Sequence, residues 1–101
     1  MVMIARPIIN DFARRNPLPA SSLNDWYSKT RNADWNDLSE VKHVFNSCDY
    51  IGNDRYVFNI SGNNYRLIAM IHFNRRTLYI RRILSHAEYD EFNNRCMLNT
   101  V

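Results

Sequence analysis

One long stretch of this 101-residue chain has no acidic residue and no lysine. Between Arg55 and His86 there is no Asp, Glu or Lys, while arginine occurs six times, at positions 55, 66, 75, 76, 81 and 82. A guanidinium stays charged at any physiological pH and presents a planar fork of donors, which suits it to phosphate or carboxylate groups. The stretch therefore predicts a surface for an anionic partner, either a binding surface or a catalytic one.

The chain also lacks the spacings that bind metals. Its two cysteines, Cys48 and Cys96, are far apart and form no CxxC pair. The three histidines, His43, His72 and His86, form no HxxxH pattern. We therefore expect no metal site and no cofactor. The two cysteines could form a disulfide, but nothing requires one, and reduced cysteines in a reducing compartment are the simpler expectation.

No apolar run approaches the ~18 residues of a membrane span, and no repeat or low-complexity segment occurs. The N-terminal residues become charged too early for a signal peptide. The expected protein is cytoplasmic, without a membrane partner, and residues 1–101 form a single domain. Its net charge of +3 lies entirely in residues 51–101, which contain seven Lys/Arg and four Asp/Glu. Residues 1–50 contain six Lys/Arg and six Asp/Glu and have no net charge. With eleven arginines and two lysines, the chain favours nucleic acid as the partner.

The periodicity changes from helical to alternating near residue 49. A short strand and three helices are predicted first, followed by strands and a last helix that opens at Ser85, where Ser85 and Glu88 fit a capping box. The resulting prediction is an α+β fold, with N-terminal helices on one face of a mainly antiparallel sheet of four to five strands and a C-terminal helix. The strands are predicted at Asp49–Ile51, Arg55–Ile60, Tyr65–Phe73 and Thr77–Leu84, after a first strand at Val2–Ala5.

Strand alternation decides which arginines share a face. If residues 60 and 65, and residues 73 and 76, lie opposite each other, Arg66 and Arg81 are diagonal neighbours on the face away from the helices. Such neighbours lie roughly 7–8 Å apart, a distance at which two arginines can hold one phosphate between them. Arg82 then falls on the core face, at the sheet edge, while a one-residue bulge would reverse the faces of one strand.

Other candidate residues surround this pair. His86, at the start of the last helix, is a candidate for proton transfer, although an exposed histidine without a function fits the pattern equally well. Tyr89 belongs to a helical stripe with Phe92 and Cys96 that is also consistent with packing. The remaining candidates for RNA contact are Arg55, Arg75, Arg76 and His72.

Several segments of the sequence resemble the HigB family of type II toxins, which belongs to the RelE-like superfamily of mRNA interferases. The resemblance lies in residues 53–60, in Gly62-Asn63-Asn64-Tyr65-Arg66-Leu67, in Tyr79-Ile80-Arg81 and in Ser85-His86-Ala87-Glu88-Tyr89-Asp90. The helical segments around Trp26 and Trp35 are similar as well, so the resemblance covers nearly the whole chain.

The resemblance implies a toxin that cleaves mRNA in the ribosomal A site without a metal ion. It also implies neutralisation by a HigA-like helix-turn-helix antitoxin, in a complex that binds operator DNA. By analogy, the catalytic residues are Arg66, Arg81, His86 and Tyr89. RelE-like relatives often place lysines in the site, whereas Lys29 and Lys42 of this chain lie in the helical half, so the sequence names no general base.

The expected reaction is attack of a ribose 2′-OH on the adjacent phosphate, with Arg66 and Arg81 binding the phosphate and His86 transferring a proton. The alternative is a non-catalytic module that binds RNA or the ribosome through the same arginine face.

Overall fold

The computed structural model describes residues 1–4, 6–15, 20–62 and 64–94. Alternating apolar and helical patterns in the sequence correspond to five strands and four α-helices in this part of the chain. In chain order the elements are β1 (Val2–Ile4), α1 (Arg6–Arg15), α2 (Ala20–Asn32), α3 (Leu38–Val44), β2 (Asp49–Gly52), β3 (Arg55–Ile60), β4 (Tyr65–His72), β5 (Thr77–Ser85) and α4 (His86–Asn94).

The strands form one sheet in the order β1-β5-β4-β3-β2. Strand β1 pairs in parallel with β5, and every other pair is antiparallel. This mixed sheet with N-terminal helices and a C-terminal helix confirms the predicted α+β architecture. None of the described helices combines the length and apolarity needed to cross a bilayer.

The sheet has two differently covered faces. The first face, on which Phe58 and Leu67 lie, packs against helices α1 to α3 in the main core. Aromatic edge contacts bind this core together, for example between Trp26 and Phe58, whose ring centroids lie 5.3 Å apart. Helix α4 instead packs on the opposite, second face, where Tyr89 and Phe92 contact a small cluster of Val57, Ile68 and Leu84. The stripe predicted on α4 is thus a packing surface in part, and its third member, Cys96, lies outside the described residues.

The predicted strand register is correct for the first hairpin and for half of the second. Ile60 pairs with Tyr65, and the β4–β5 ladder runs as expected from the His72 pair with Thr77 to the Ala69 pair with Ile80. The ladder then shifts, because Ile68 pairs with Arg82 and not with Arg81. Arg81 is the extra residue of a β-bulge.

The bulge corrects the predicted faces of β5. Arg82 and Leu84, predicted on the core face, lie on the second face with Ile68 and Arg66, while Ile83 joins the main core. An unbroken ladder would direct Arg82 into the core, where burying a guanidinium without a partner is costly. The extra residue keeps Arg82 in solvent and still buries the two apolar residues that follow it, Ile83 and Leu84. The predicted position of Arg81 as the diagonal neighbour of Arg66 is therefore wrong, because Arg82 holds that position.

Candidate active site

The end of β5 and the start of α4 fix the position of His86. Ser85 ends the strand and caps the helix: its Oγ accepts from the Glu88 backbone N–H (3.2 Å), and the Glu88 carboxylate accepts from the Ser85 N–H (3.1 Å). This reciprocal pair confirms the capping box predicted from the sequence. The backbone N–H of His86 also donates to the carbonyl of Asn64 in the β3–β4 turn (3.0 Å). His86 is thus positioned by the capped start of α4 and by one hydrogen bond to the β3–β4 turn.

Arg66 and His86 lie side by side on the second face. Nη2 of Arg66 is 3.3 Å from Nδ1 of His86, across twenty positions of sequence. Since a guanidinium can only donate, Nδ1 must be the acceptor, and the proton of a neutral imidazole then lies on Nε2. The lone pair of Nδ1 therefore faces the cationic group that is best suited to bind a phosphate.

Asp90 completes a chain of three polar side chains. Its Oδ2 lies 3.4 Å from Nε2 of His86, one helical turn away on α4. This carboxylate accepts from the Nε2 proton and so favours the tautomer that Arg66 also requires. Both side chains are more than half exposed, at 56% for His86 and 54% for Asp90. Solvent and substrate can therefore reach the imidazole from outside.

Tyr89 lies beneath the Arg66 guanidinium, whose central carbon is 5.5 Å from the centre of the ring. Burial raises the pKa of the Tyr89 phenol; Arg66 opposes this rise, while Asp49 and Asp90 add to it. The net direction is upward, so the phenol keeps its proton at neutral pH and can donate a hydrogen bond. Tyr89 combines a cation–π contact that orients Arg66 with a nearby O–H donor.

Arg82, on the neighbouring strand β5, also lies over an aromatic ring of α4. Its guanidinium carbon lies 5.4 Å from the centre of the Phe92 ring, three residues after Tyr89 on α4. Residues three apart on a helix point in similar directions. Helix α4 thus places one aromatic ring against each arginine of the diagonal pair Arg66 and Arg82. The pair can bind two oxygens of one phosphate group.

An open pocket of about 430 Å³ adjoins His86. It lies between the β3–β4 turn and the start of α4, and Ser61, Asn64, Tyr65 and Ser85 contribute to its walls. The hydroxyl and amide groups in these walls can donate and accept hydrogen bonds. The pocket therefore offers polar contacts to a group bound beside the imidazole.

The structure brings three of the four predicted catalytic residues together: Arg66, His86 and Tyr89. The fourth, Arg81, lies at the bulge, and both it and Arg82 line a groove with Arg15 of α1 and Glu88. Arg82 takes the place on the second face that was predicted for Arg81.

The residues predicted to contact RNA occupy three different places. Arg55 lies on the second face, where it pairs with Met70, and His72 lies at the far end of the same face. Arg75 is exposed at the β4–β5 turn. Arg76, by contrast, is held by contacts with other parts of the protein: Nε donates to Asp34 (2.7 Å), and Nη2 donates to Asn36. Its charge holds this turn against the loop between α2 and α3.

Sequence reasoning missed two residues of the site. Asp90 could have been found, because it lies four positions after His86 on a predicted helix, the spacing at which side chains meet. Arg82 could not have been found in this way, since periodicity gives no sign of a bulge. Among the described residues, no three His, Cys, Asp or Glu side chains come together in a group that could hold a metal ion.

Comparisons with known proteins agree with this architecture. Residues 19–92 match a family model described as HigB_toxin, RelE-like toxic component of a toxin-antitoxin system. The chain belongs to the HigB toxin family. A curated relative from Escherichia coli O6:H1, named mRNA interferase HigB, is 31% identical over 93 residues, which cover 90% of each chain. Another from Escherichia coli K12, named mRNA interferase toxin HigB, is 32% identical over 95 residues, covering 91% of this chain and 90% of the relative. A relative from Shigella flexneri, named mRNA interferase HigB, is 32% identical over 95 residues, which cover 91% of this chain and 90% of the relative.

Proposed function

We propose that this toxin is an endoribonuclease that cleaves mRNA and thereby inhibits translation. The observation that carries the proposal is the contact between Arg66 and His86 on the second face, with Tyr89 below it and Asp90 behind it. The relatives named mRNA interferase support the substrate class. An mRNA under translation is found in the cytoplasm, where we therefore expect the toxin to act.

The proposed reaction is an internal phosphoryl transfer. The ribose 2′-oxygen attacks the adjacent phosphorus while its proton passes to a base, and a P–O2′ bond forms. The bond from phosphorus to the 5′-oxygen breaks, and this oxygen takes up a proton from an acid. The products are a 2′,3′-cyclic phosphate and a 5′-hydroxyl, and the step requires no redox partner and no metal ion.

Each side chain has a role in this step. Arg66 and Arg82 bind the phosphate and stabilise the extra negative charge of the transition state. His86 transfers a proton through Nδ1, whose lone pair already faces Arg66, and Asp90 holds the tautomer that leaves this lone pair open. Tyr89, which keeps its proton, is placed to donate to a phosphate or leaving-group oxygen. Because Arg82 and not Arg81 pairs with Ile68 next to Arg66, we give Arg81 no catalytic role.

Other surfaces contact the rest of the substrate. Arg55, Arg75 and His72 would bind the RNA backbone or ribosomal RNA, and cleavage would take place on the ribosome. We do not include Arg76 in this set, because Asp34 and Asn36 bind its guanidinium. The antitoxin partner would be a HigA-like helix-turn-helix protein, and the complex would bind operator DNA.

The decisive experiment compares a His86→Ala variant with wild type. Both are expressed in cells, mRNA 5′ ends are mapped, and ribosomes are tested for bound toxin. General acid–base help is worth ~10²–10⁴-fold, so we expect cuts in wild type and at least 100-fold fewer in the variant, with ribosome binding retained. His43→Ala, which changes an exposed histidine of α3 outside the site, is the matched control.

The rival function is a non-catalytic RNA-binding or ribosome-binding module. It predicts ribosome association by wild type without any cuts, and the same growth effect for His86→Ala as for wild type. Either result would sink the nuclease proposal.

A further inference from the structure

Only one end of the second face is covered by α4. The helix packs over Val57, Ile68 and Leu84, which lie at the Arg66 end of the sheet. The other end, which we call the open end, carries Arg55, Met70, His72 and Tyr79, with Ile4 of β1 beside Tyr79. No described helix packs on this end.

The open end continues the strand that carries the active-site arginine. Residues 66, 68, 70 and 72 alternate along β4 and all point to the second face. Since a strand rises ~3.4 Å per residue, Met70 lies roughly 14 Å from Arg66 and His72 roughly 20 Å. Ile68, which lies between these two ends of β4, is buried under α4. An extended RNA strand whose phosphate lies at Arg66 therefore reaches the open end by passing beside α4.

The three strands that form this path carry charge of one sign. Strands β3, β4 and β5 contain no Asp or Glu, and Arg55 lies on the second face beside Met70. Asp49 of β2 and Asp90 of α4 lie toward the other end of the face. Asp54 lies in the turn between β2 and β3, directly before Arg55. A polyanion is the occupant that such a path favours.

Aromatic surface accompanies the charge. The rings of His72 and Tyr79 meet edge to face, with centroids 5.7 Å apart and planes at 84°, so each limits the motion of the other. Both are partly exposed, and Ile4, 40% exposed, borders them on β1. Tyr79 and Arg55 both flank Met70, from the strands on either side of it. A partly exposed ring near an arginine is an arrangement that an unpaired base uses for stacking.

We propose that the open end is a stacking subsite for an unpaired base of the substrate RNA, with Tyr79 as the stacking ring and Arg55 as its phosphate contact. The base belongs to the same strand as the cleaved phosphate and lies a few nucleotides from it. This subsite rests on the proposed function, because it assumes that the phosphate at Arg66 is part of an RNA chain. It would position the substrate and contribute to the choice of cleavage position.

The test measures binding of a short single-stranded RNA whose riboses all carry 2′-O-methyl groups, which removes the attacking hydroxyl. Tyr79→Leu keeps apolar bulk but loses the ring, while Tyr79→Phe keeps the ring. Stacking of one base is worth ~1–3 kcal/mol, so Tyr79→Leu should bind roughly 5- to 150-fold more weakly and Tyr79→Phe nearly as well as wild type. Tyr50→Leu is the matched control, because Tyr50 is 52% exposed but lies on the first face.

A second arm locates the base. In a series of the same RNA, each position in turn is made abasic. For wild type, loss of the base at one position should weaken RNA binding more than loss at the others. For Tyr79→Leu, loss of that base should have no further effect on RNA affinity, because the stacking contact is already absent.

Three results would overturn the subsite: no measurable RNA binding by wild type, equal affinity of Tyr79→Leu and wild type, or an abasic profile that Tyr79→Leu does not alter. Weakened binding of the antitoxin by Tyr79→Leu with unchanged RNA affinity would assign this surface to a protein instead. The nuclease proposal fails separately. If wild type binds RNA through Tyr79 but never cleaves it, the nuclease proposal fails and the subsite stands. If wild type cleaves RNA but Tyr79→Leu binds it equally well, the subsite fails and the nuclease proposal stands.

Discussion

Arg66 donates from Nη2 to Nδ1 of His86, so the group proposed to bind phosphate is in direct contact with the group proposed to transfer a proton. This contact connects the middle of the sheet to the first residue of α4. When substrate binds, the hydrogen bond between Arg66 and His86 must be replaced by contacts between Arg66 and phosphate oxygens. The lone pair of Nδ1 is then available beside the reacting phosphate.

Replacing Arg66 with lysine should therefore impair cleavage although the charge is kept. An ammonium lacks the planar fork that can reach a phosphate oxygen and His86 together, and it makes a weaker contact with the Tyr89 ring. We expect a loss of ~10²–10³-fold in the rate of cleavage, measured on programmed ribosomes, with little change in melting temperature. Arg31→Lys, on an exposed part of α2, is the control and should cleave like wild type.

The bulge predicts which arginine of the last strand matters. Arg82→Ala should lower cleavage by ~10²-fold or more, whereas Arg81→Ala should lower it by much less. Deleting Arg81 should leave both halves of the β4–β5 ladder paired as they are, since it removes the one extra residue. The deletion variant should therefore fold and retain more activity than Arg82→Ala. The reverse order of the two alanine variants would assign the phosphate contact to Arg81.

Arg76 should matter for stability and not for cleavage. Its side chain is 38% exposed and binds Asp34, Asn36 and the carbonyl of Phe73. Arg76→Ala should lower the free energy of unfolding by about 1 kcal/mol, measured by urea denaturation, and should leave the cleavage pattern unchanged. The adjacent Arg75→Ala should leave stability unchanged. A loss of RNA binding by Arg76→Ala at full stability would contradict the structural role.

Cys48 makes stability depend on alkaline pH. Burial, with a smaller contribution from Asp49 and against the opposing effect of Lys42, raises the pKa of its thiol from 9.0 to about 12. The folded protein therefore keeps a proton that the unfolded chain releases above pH 9.0. The contribution of this thiol to the free energy of unfolding is complete below pH 9.0 and is lost as pH rises toward 12. The native thiol should also resist alkylation at pH 8 and react only after unfolding.

This dependence can be measured against a variant. In a Cys96→Ser background, Cys48→Ala removes the titrating group at a cost in packing that does not vary with pH. Between pH 8 and pH 10, the stability advantage of the Cys48 protein over this variant should shrink by about 1.4 kcal/mol. An advantage that stays constant over this interval would show that the thiol titrates alike in the folded and unfolded chains.

The sequence allowed a good prediction of the fold because its signals were local. Alternation in residues 55–60, the helix cap at Ser85 and the spacing of Glu88 each depend on a few neighbouring residues, and the structure confirms them. The contact between Arg66 and His86 depends instead on pairing between distant segments. It was predicted only as a shared location, through the strand register and the family resemblance.

The error over Arg81 has a physical cause. A strand has a side-chain period of two, so one extra residue reverses every face that follows it, and no composition rule marks where such a residue occurs. The bulge is favoured here because it places Ile83 in the main core and leaves Arg82 on the opposite face. Asp90 was missed for a simpler reason, because helical spacing was applied to the apolar stripe of α4 and not to its polar side.

Strand β5 ends at Ser85 and α4 begins at His86, with no connecting loop between them. The rotational phase of the helix is therefore set by the last pairing of the sheet. One residue inserted at this junction would turn every side chain of α4 by about 100°, carrying His86 away from Arg66 and both aromatic rings away from their arginines. Side chains around the site can be exchanged singly, but the number of residues between Arg82 and His86 cannot change without dismantling the site as a whole.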